Sequence, residues 1–161
     1  MTWNLAHRAD PHAVSIADRH YNRQKPGTPQ FVPPGRCVVL TTTHAVWVTS
    51  WPLAEYVRHA WAGAWVNSCF RREGGDTLAS DMIREAIAAT RAIFGEPPAL
   101  GMVTFVDAGK VKHKRDPGRC YVRAGFHRVG HTQGGLVALQ LLPHEMPEAE
   151  MPNRAQAELF A

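Results

Sequence analysis

Three things are scarce in these 161 residues: cysteine, long apolar runs and acidic charge. The three cysteines, Cys37, Cys69 and Cys120, are odd in number and widely spaced, with no C-x-x-C pair. That pattern excludes a disulfide framework and a cysteine-rich zinc site, and fits reduced, mostly buried thiols. No apolar run approaches the length of a membrane span, and the N-terminus lacks the basic-then-apolar layout of a signal peptide, so the expectation is a cytoplasmic protein. No internal repeat is visible, which sets aside solenoids and propellers. Acidic residues number 14 against 18 Lys+Arg, giving a net charge of +4 and making a polyanionic partner plausible.

Apolar residues make up 45% of the chain, enough for one domain with its own core. The pattern is clearest between Ala64 and Phe94. Ala64, Val66, Ser68 and Phe70 alternate as in a strand with one face in a core. A loop R-R-E-G-G-D-T follows, and then a helix expected at about 77–94. Met82, Ala86, Ala89 and Ile93 share one stripe of that helix, with Ile83, Ile87 and Phe94 beside it. Asp76 or Thr77 is placed to cap the helix start, and Gly95, Pro97 and Pro98 stop its end. Gly74 and Gly75 let the loop approach a ligand closely, and a helix start with free N–H groups favours an anion such as a pyrophosphate.

Before this unit, Asp10-Pro11 opens a short helix carrying Ala13, Ile16 and Ala17 on one face with His20. A proline-rich loop with Arg19, Arg23 and Lys25 follows, a basic stretch able to meet phosphate. Cys37–Leu40 and Ala45–Thr49 read as a hairpin turning at Thr41–His44. Trp51, Trp61 and Trp65 are core residues or a stacking surface for bases, with core favoured. After the long helix, Gly101–Val106 is a strand ending at Asp107. Lys110, Lys112, His113, Lys114 and Arg115 form the densest basic cluster, Arg119–Ala124 a short helix, and Phe126–Val129 with Leu136–Leu141 a last hairpin. Residues 1–142 are expected as one domain and 143–161 as a loosely attached Pro/Glu-rich arm, with a helical turn or two near Ala155–Phe160. Helices between strands give an α/β fold with one open mixed sheet.

This order, with an R-x-x-G loop before the long helix and R-C-Y-V-R-A-G-F at Arg119–Phe126, resembles the GNAT acyltransferases. The loop reads Arg71-x-x-Gly74-x-Asp76 or Arg72-x-x-Gly75-x-Thr77, with Asp76 or Thr77 where the usual pattern has a small residue. Within that fold the chain is similar to the Mom-type phage proteins that modify adenine in DNA. That similarity rests on H-Y-N-R at His20–Arg23, on Ser80 in the first turn of the long helix, and on T-F-V-D at Thr104–Asp107 running into Asp116–Phe126.

The resemblance implies two splayed strands, 64–70 and 101–106, that hold acetyl-CoA or another acyl-CoA. Arg71, Arg72, Gly74, Gly75, Thr77 and Ser80 would take the pyrophosphate. His20, Tyr21, Asp107 and Tyr121 are the candidate acid and base groups. Iron is an implied second cofactor, with Tyr121, His20-Tyr21 and Asp107 or Asp116 as candidate ligands and no strict metal spacing. DNA is the expected partner through Arg23, Lys110, Lys112, Lys114 and Arg115; a membrane is not expected, and a homodimer is left open. Cys69 and Cys120 stand as candidate nucleophiles without an evident base. Two other readings carry weight: an ordinary N-acetyltransferase of a small amine or protein amino group, and a non-catalytic nucleic-acid-binding module.

Overall fold

A computed structural model describes residues 1–20, 22, 23, 25–28, 31–110 and 117–154. Among these described residues seven strands form one mixed sheet: β1 (Asn4–Ala6), β2 (Arg36–Thr42), β3 (Ala45–Trp51), β4 (Trp65–Arg72), β5 (Met102–Val106), β6 (His127–His131) and β7 (Val137–Leu141). Their spatial order is β1-β2-β3-β4-β5-β7-β6; β4 and β5 pair parallel, and the other neighbouring strands pair antiparallel. That parallel pair needs a crossover. Helix α2 (Ala79–Phe94) supplies it, packing Met82, Ile83, Ala86 and Ile87 into the main core. Helix α1 (Pro11–Ala17) covers β2–β4 on the opposite face, where Ala13, Ile16 and Ala17 meet Val39, Val46, Val48 and Cys69. Helix α3 (Arg119–Arg123) lies on the α2 side, fastened by Arg84 donating to the Ala124 carbonyl at 2.6 Å.

Local chemistry explains most boundaries. Asp10 accepts from the backbone N–H groups of His12 and Ala13, capping α1 with proline at its first position. Gly95, at φ 86°, ends α2. Gly101 sits where strand β7 passes closest: a Cβ there would stand 2.0 Å from the Leu141 carbonyl oxygen, so only glycine fits.

Three expectations are corrected. The alternation expected for Ala64–Phe70 breaks, because Val48 pairs with Cys69 while Thr49 pairs with Asn67, leaving Ser68 as an extra, bulged residue. Trp65, Asn67 and Phe70 therefore share the α2 face, and Cys69 faces α1. The start of α2 has no side-chain cap from Asp76 or Thr77; Leu78 holds the capping position and makes no such bond. Residues 143–154 run along the domain: Met146 is buried, Glu150 N–H donates to the Ala88 carbonyl, and Asn153 bridges to β1 through Leu5 and Trp3. The turns expected near Ala155–Phe160 fall outside the described residues. The residue 53–63 segment holds one 3₁₀ turn, Ala54–Tyr56, with Leu53 and Tyr56 exposed. No helix among the described residues is long and apolar enough to cross a membrane.

Candidate functional site

Pairing between β4 and β5 spans three rungs, Trp65–Met102, Val66–Val103 and Asn67–Thr104, although both strands continue. Beyond Asn67 and Thr104 they separate, and a cleft of about 460 Å³ occupies the gap. The bulge at Ser68 lies at the point of separation.

A buried polar cluster closes the base of the cleft. Asn67 is 3% exposed and spends all of its amide capacity: Nδ2 donates to the Val48 and Cys69 carbonyls, at 2.9 and 3.0 Å. Those two bonds fix the amide's orientation, so Oδ1 accepts from the Tyr121 hydroxyl at 2.6 Å and the Thr104 hydroxyl at 3.2 Å. Tyr121 is braced edge-on by Phe70 and Phe126. Ser68 Oγ is buried with no hydrogen-bond partner among the described residues, and Ser68 lines the same cleft.

On the α1 side stand His20 and Asn22. Asn22 Nδ2 donates to the Ser68 carbonyl at 2.8 Å, which turns its Oδ1 toward His20 Nδ1, 2.6 Å away. An amide oxygen only accepts, so Nδ1 carries the proton and Nε2 is the basic nitrogen of a neutral His20. The longer 3.3 Å approach of the Asn22 N–H to Nδ1 is the weaker competitor.

The mouth is cationic. Arg19, Arg71, Arg72 and Lys110 line the cleft, with no carboxylate among its described lining residues. Beside it, Glu73 accepts from Arg19 Nε at 2.6 Å and Arg71 Nε at 2.8 Å. The bonds from Arg19 and then Arg71 hold its carboxyl at a pKa of about 2. Arg72 is occupied differently, donating to the Gly75 and Thr77 carbonyls at 2.7 and 3.0 Å and so bracing the loop. Ala79 at the uncapped start of α2 also lines the cleft.

The structure thus brings His20, Arg71, Arg72, Lys110 and Tyr121 to one cleft. Gly74, Gly75, Thr77 and Ser80 lie in the adjoining loop and first helical turn and are not among its lining residues. Asp107, expected as a base, is outside the lining too; its Oδ1 accepts from the Gly109 and Lys110 N–H groups and shapes the turn after β5. Arg23, expected to meet DNA phosphate, is turned inward with its side chain 8% exposed, pairing with Asp18 at 2.7 Å and donating to Thr28. Tyr21, Lys112, Lys114, Arg115 and Asp116 lie outside the described residues. Cys69 is 6% exposed on the α1 face, and burial pushes its thiol up to about 12, which disfavours the thiolate a nucleophile needs. Trp65 is fully buried, and Trp51 packs on Trp65 and Phe94 under Arg36, so both are core.

Sequence reading missed Asn67, Thr104, Asn22 and Ser68 as site residues. The available signal was a buried-strand pattern, A-W-V-N-S-C-F, interrupted by two adjacent polar residues at its centre. Among the described residues no group of three or more His, Cys, Asp or Glu is arranged to hold a metal ion. No protein-family model, curated protein or solved structure matches the chain.

Proposed function

We propose that the chain is a GNAT-like acyltransferase that takes an acyl-CoA at the β4–β5 cleft and modifies a nucleobase, adenine in DNA being the substrate its resemblance to Mom-type proteins suggests. The observation that carries this reading is the cleft itself. Two parallel strands part at a bulge, and the opening is lined by Arg19, Arg71, Arg72 and Lys110, with no carboxylate among its described lining residues. Such an opening favours a polyanionic ligand, and the uncapped N–H groups of α2 beside Arg71 add donors for phosphate oxygens. A small cationic amine has no carboxylate to meet among the described lining residues, which favours a nucleic-acid acceptor over an ordinary amine.

An acyl-CoA supplies a thioester whose C–S bond breaks as the acyl carbon bonds to the acceptor nitrogen. His20, with Nε2 as its basic nitrogen, takes the proton leaving that nitrogen. Tyr121 returns a proton to the departing sulfur, which requires its hydroxyl to turn from Asn67 Oδ1. Arg71 and the first turn of α2 bind phosphate, and Arg72 keeps the intervening loop in shape. A base within a duplex cannot reach the cleft, so it is flipped out or taken from single-stranded DNA. No step here is routed through iron; of its candidate ligands, Tyr21 and Asp116 lie outside the described residues.

The test is mass spectrometry of nucleosides from the DNA of cells expressing the protein, together with calorimetry of coenzyme A binding. A new modified nucleoside and measurable coenzyme A affinity are expected. Unmodified nucleosides with rapid acetylation of a small amine in vitro would transfer the assignment to an ordinary acetyltransferase. Salt-sensitive DNA binding without coenzyme A binding would make the chain a binding module.

A further inference from the structure

Phe105 is the first residue of β5 beyond its last rung with β4, and it lines the cleft. Its neighbours Thr104 and Val106 face the α2 core, so its ring projects on the α1 side of the sheet. Helix α1 lies over β2, β3 and β4. What packs on Phe105 is the segment before β4: the rings of His59 and Trp61 stand 4.9 and 5.9 Å from its ring centre, tilted by 55° and 53°. His59 is held by accepting the Trp61 N–H at Nδ1, 3.0 Å away, and burial lowers its pKa. Phe105 is therefore a braced aromatic wall, partly exposed, on the same side of the cleft as Arg19, His20 and Asn22.

The other tryptophans are committed elsewhere. Trp3, Trp47 and Trp65 are fully buried, and Trp51 is packed into the core. A wall of aromatic carbon flanked by an arginine and an amide suits a flat heteroaromatic ring joined to phosphate, whose face stacks while its charge is met at the rim.

We infer that Phe105, buttressed by His59 and Trp61, is the stacking platform for the acceptor base, so that the acceptor pocket selects planar bases of single-stranded or flipped-out nucleic acid. This rests on the nucleobase-acceptor reading above and adds to it the surface that holds the base.

The experiment measures fluorescence anisotropy of a labelled eight-nucleotide oligodeoxyadenylate across a salt series, for wild type, Phe105→Leu, Phe105→Trp and Trp61→Leu. Thermal melts confirm the fold of each, and wild-type coenzyme A binding is measured separately. One lost base stack corresponds to roughly 5- to 150-fold weaker binding. Phe105→Leu should show a loss in that range with an unchanged salt slope, because no charge is altered. Phe105→Trp should bind as tightly as wild type, and Trp61→Leu should show a smaller loss. Equal affinity of wild type and Phe105→Leu would overturn the platform and leave the acyltransfer reading intact. If Phe105→Leu fails to fold, an unchanged Trp61→Leu overturns the platform instead. Wild-type protein that binds coenzyme A but no oligonucleotide would overturn both the platform and the nucleobase acceptor.

Discussion

The Tyr121 hydroxyl donates to Asn67 Oδ1 at 2.6 Å, joining a short helix near the C-terminal hairpin to the bulged central strand. One bond thereby couples the position of the candidate acid to the point where β4 and β5 part. Asn67 cannot rotate to release it without abandoning the Val48 and Cys69 carbonyls.

Tyr121→Phe should fold, because Asn67 Oδ1 keeps the Thr104 hydroxyl as a donor. The stability loss expected is about 1 kcal/mol, the net worth of one buried hydrogen bond. Nucleoside modification should fall far more than stability does. Asn67→Ala should be worse for the fold, costing about 2–4 kcal/mol by denaturant titration, since the Val48 and Cys69 carbonyls each lose a donor and the Tyr121 hydroxyl loses this acceptor, while Thr104 still donates to the backbone carbonyl of residue 67. A Tyr121→Phe enzyme with wild-type turnover would remove the tyrosine from the proton path.

Arg71 and Arg72 should separate in their effects. Arg71→Ala is expected to weaken coenzyme A binding by about tenfold in calorimetry, as loss of a charge-assisted contact does. Arg72→Ala should act through the loop instead, lowering affinity while also increasing amide exchange at residues 75–77, whose carbonyls it now braces. Gly75→Val is a poor probe of phosphate approach. Gly75 has φ 104°, so a branched residue strains the loop with or without a ligand.

Glu73 gives the mouth of the cleft an acid dependence. Its folded pKa of about 2 lies below the ordinary 4.5, so the ionised carboxylate stabilises the fold at neutral pH. That contribution is complete above pH 4.5 and is lost as pH falls from there toward 2. Glu73→Gln should flatten the stability profile in that window, and the difference should shrink in high salt because the groups are partly solvated. With Arg19 and Arg71 released from the carboxylate, the variant should also bind coenzyme A more tightly at neutral pH.

Much of the fold was legible in the chain because periodicity and caps are local signals. Asp10-Pro11 marked α1, and the stripe through Met82, Ala86 and Ala89 marked α2. The β2–β3 pair was equally readable, turning at Thr43-His44. Strand β1 was not, since its three residues are strand only by pairing with β2 and by the bridge to Asn153, 149 positions away in sequence. The bulge at Ser68 defeated a simple alternation rule and placed Asn67 on the core face. At the site, the sequence pointed to His20, Arg71 and Tyr121. It could not tell Arg71 from Arg72, because that depends on which guanidinium the loop carbonyls capture. Nor could it show that Asp107 and Arg23 serve their own turns, since each is satisfied by groups whose approach only the folded backbone sets.

Cys69 offers a direct check on packing at the bulge. Its thiol is 6% exposed and raised to about 12, so at pH 8 it should resist alkylation in the folded protein and react once the protein is denatured. Cys120, which lines the cleft and is half-buried, should label in the native state and be protected by coenzyme A. Peptide mass spectrometry after timed iodoacetamide treatment reads both. Rapid native labelling of Cys69 would mean that the α1 side of β4 opens in solution.

The last prediction concerns the tautomer of His20. Asn22 fixes the Nδ1 proton because its own amide is oriented by the Ser68 carbonyl, so the basicity of Nε2 depends on a side chain two residues away. His20→Ala should lower nucleoside modification by about 10²- to 10⁴-fold, the usual worth of a general base. Asn22→Ala should leave the imidazole present but unfixed, with a smaller loss appearing in kcat more than in KM. Asn22→Asp should place a carboxylate at Nδ1, stabilising the imidazolium, so the rising limb of the pH–rate profile moves to higher pH. Imidazole added to the His20→Ala protein should restore part of the rate. If all three variants modify DNA at the wild-type rate with the wild-type pH profile, His20 has no part in proton transfer and the base must be sought elsewhere along the cleft.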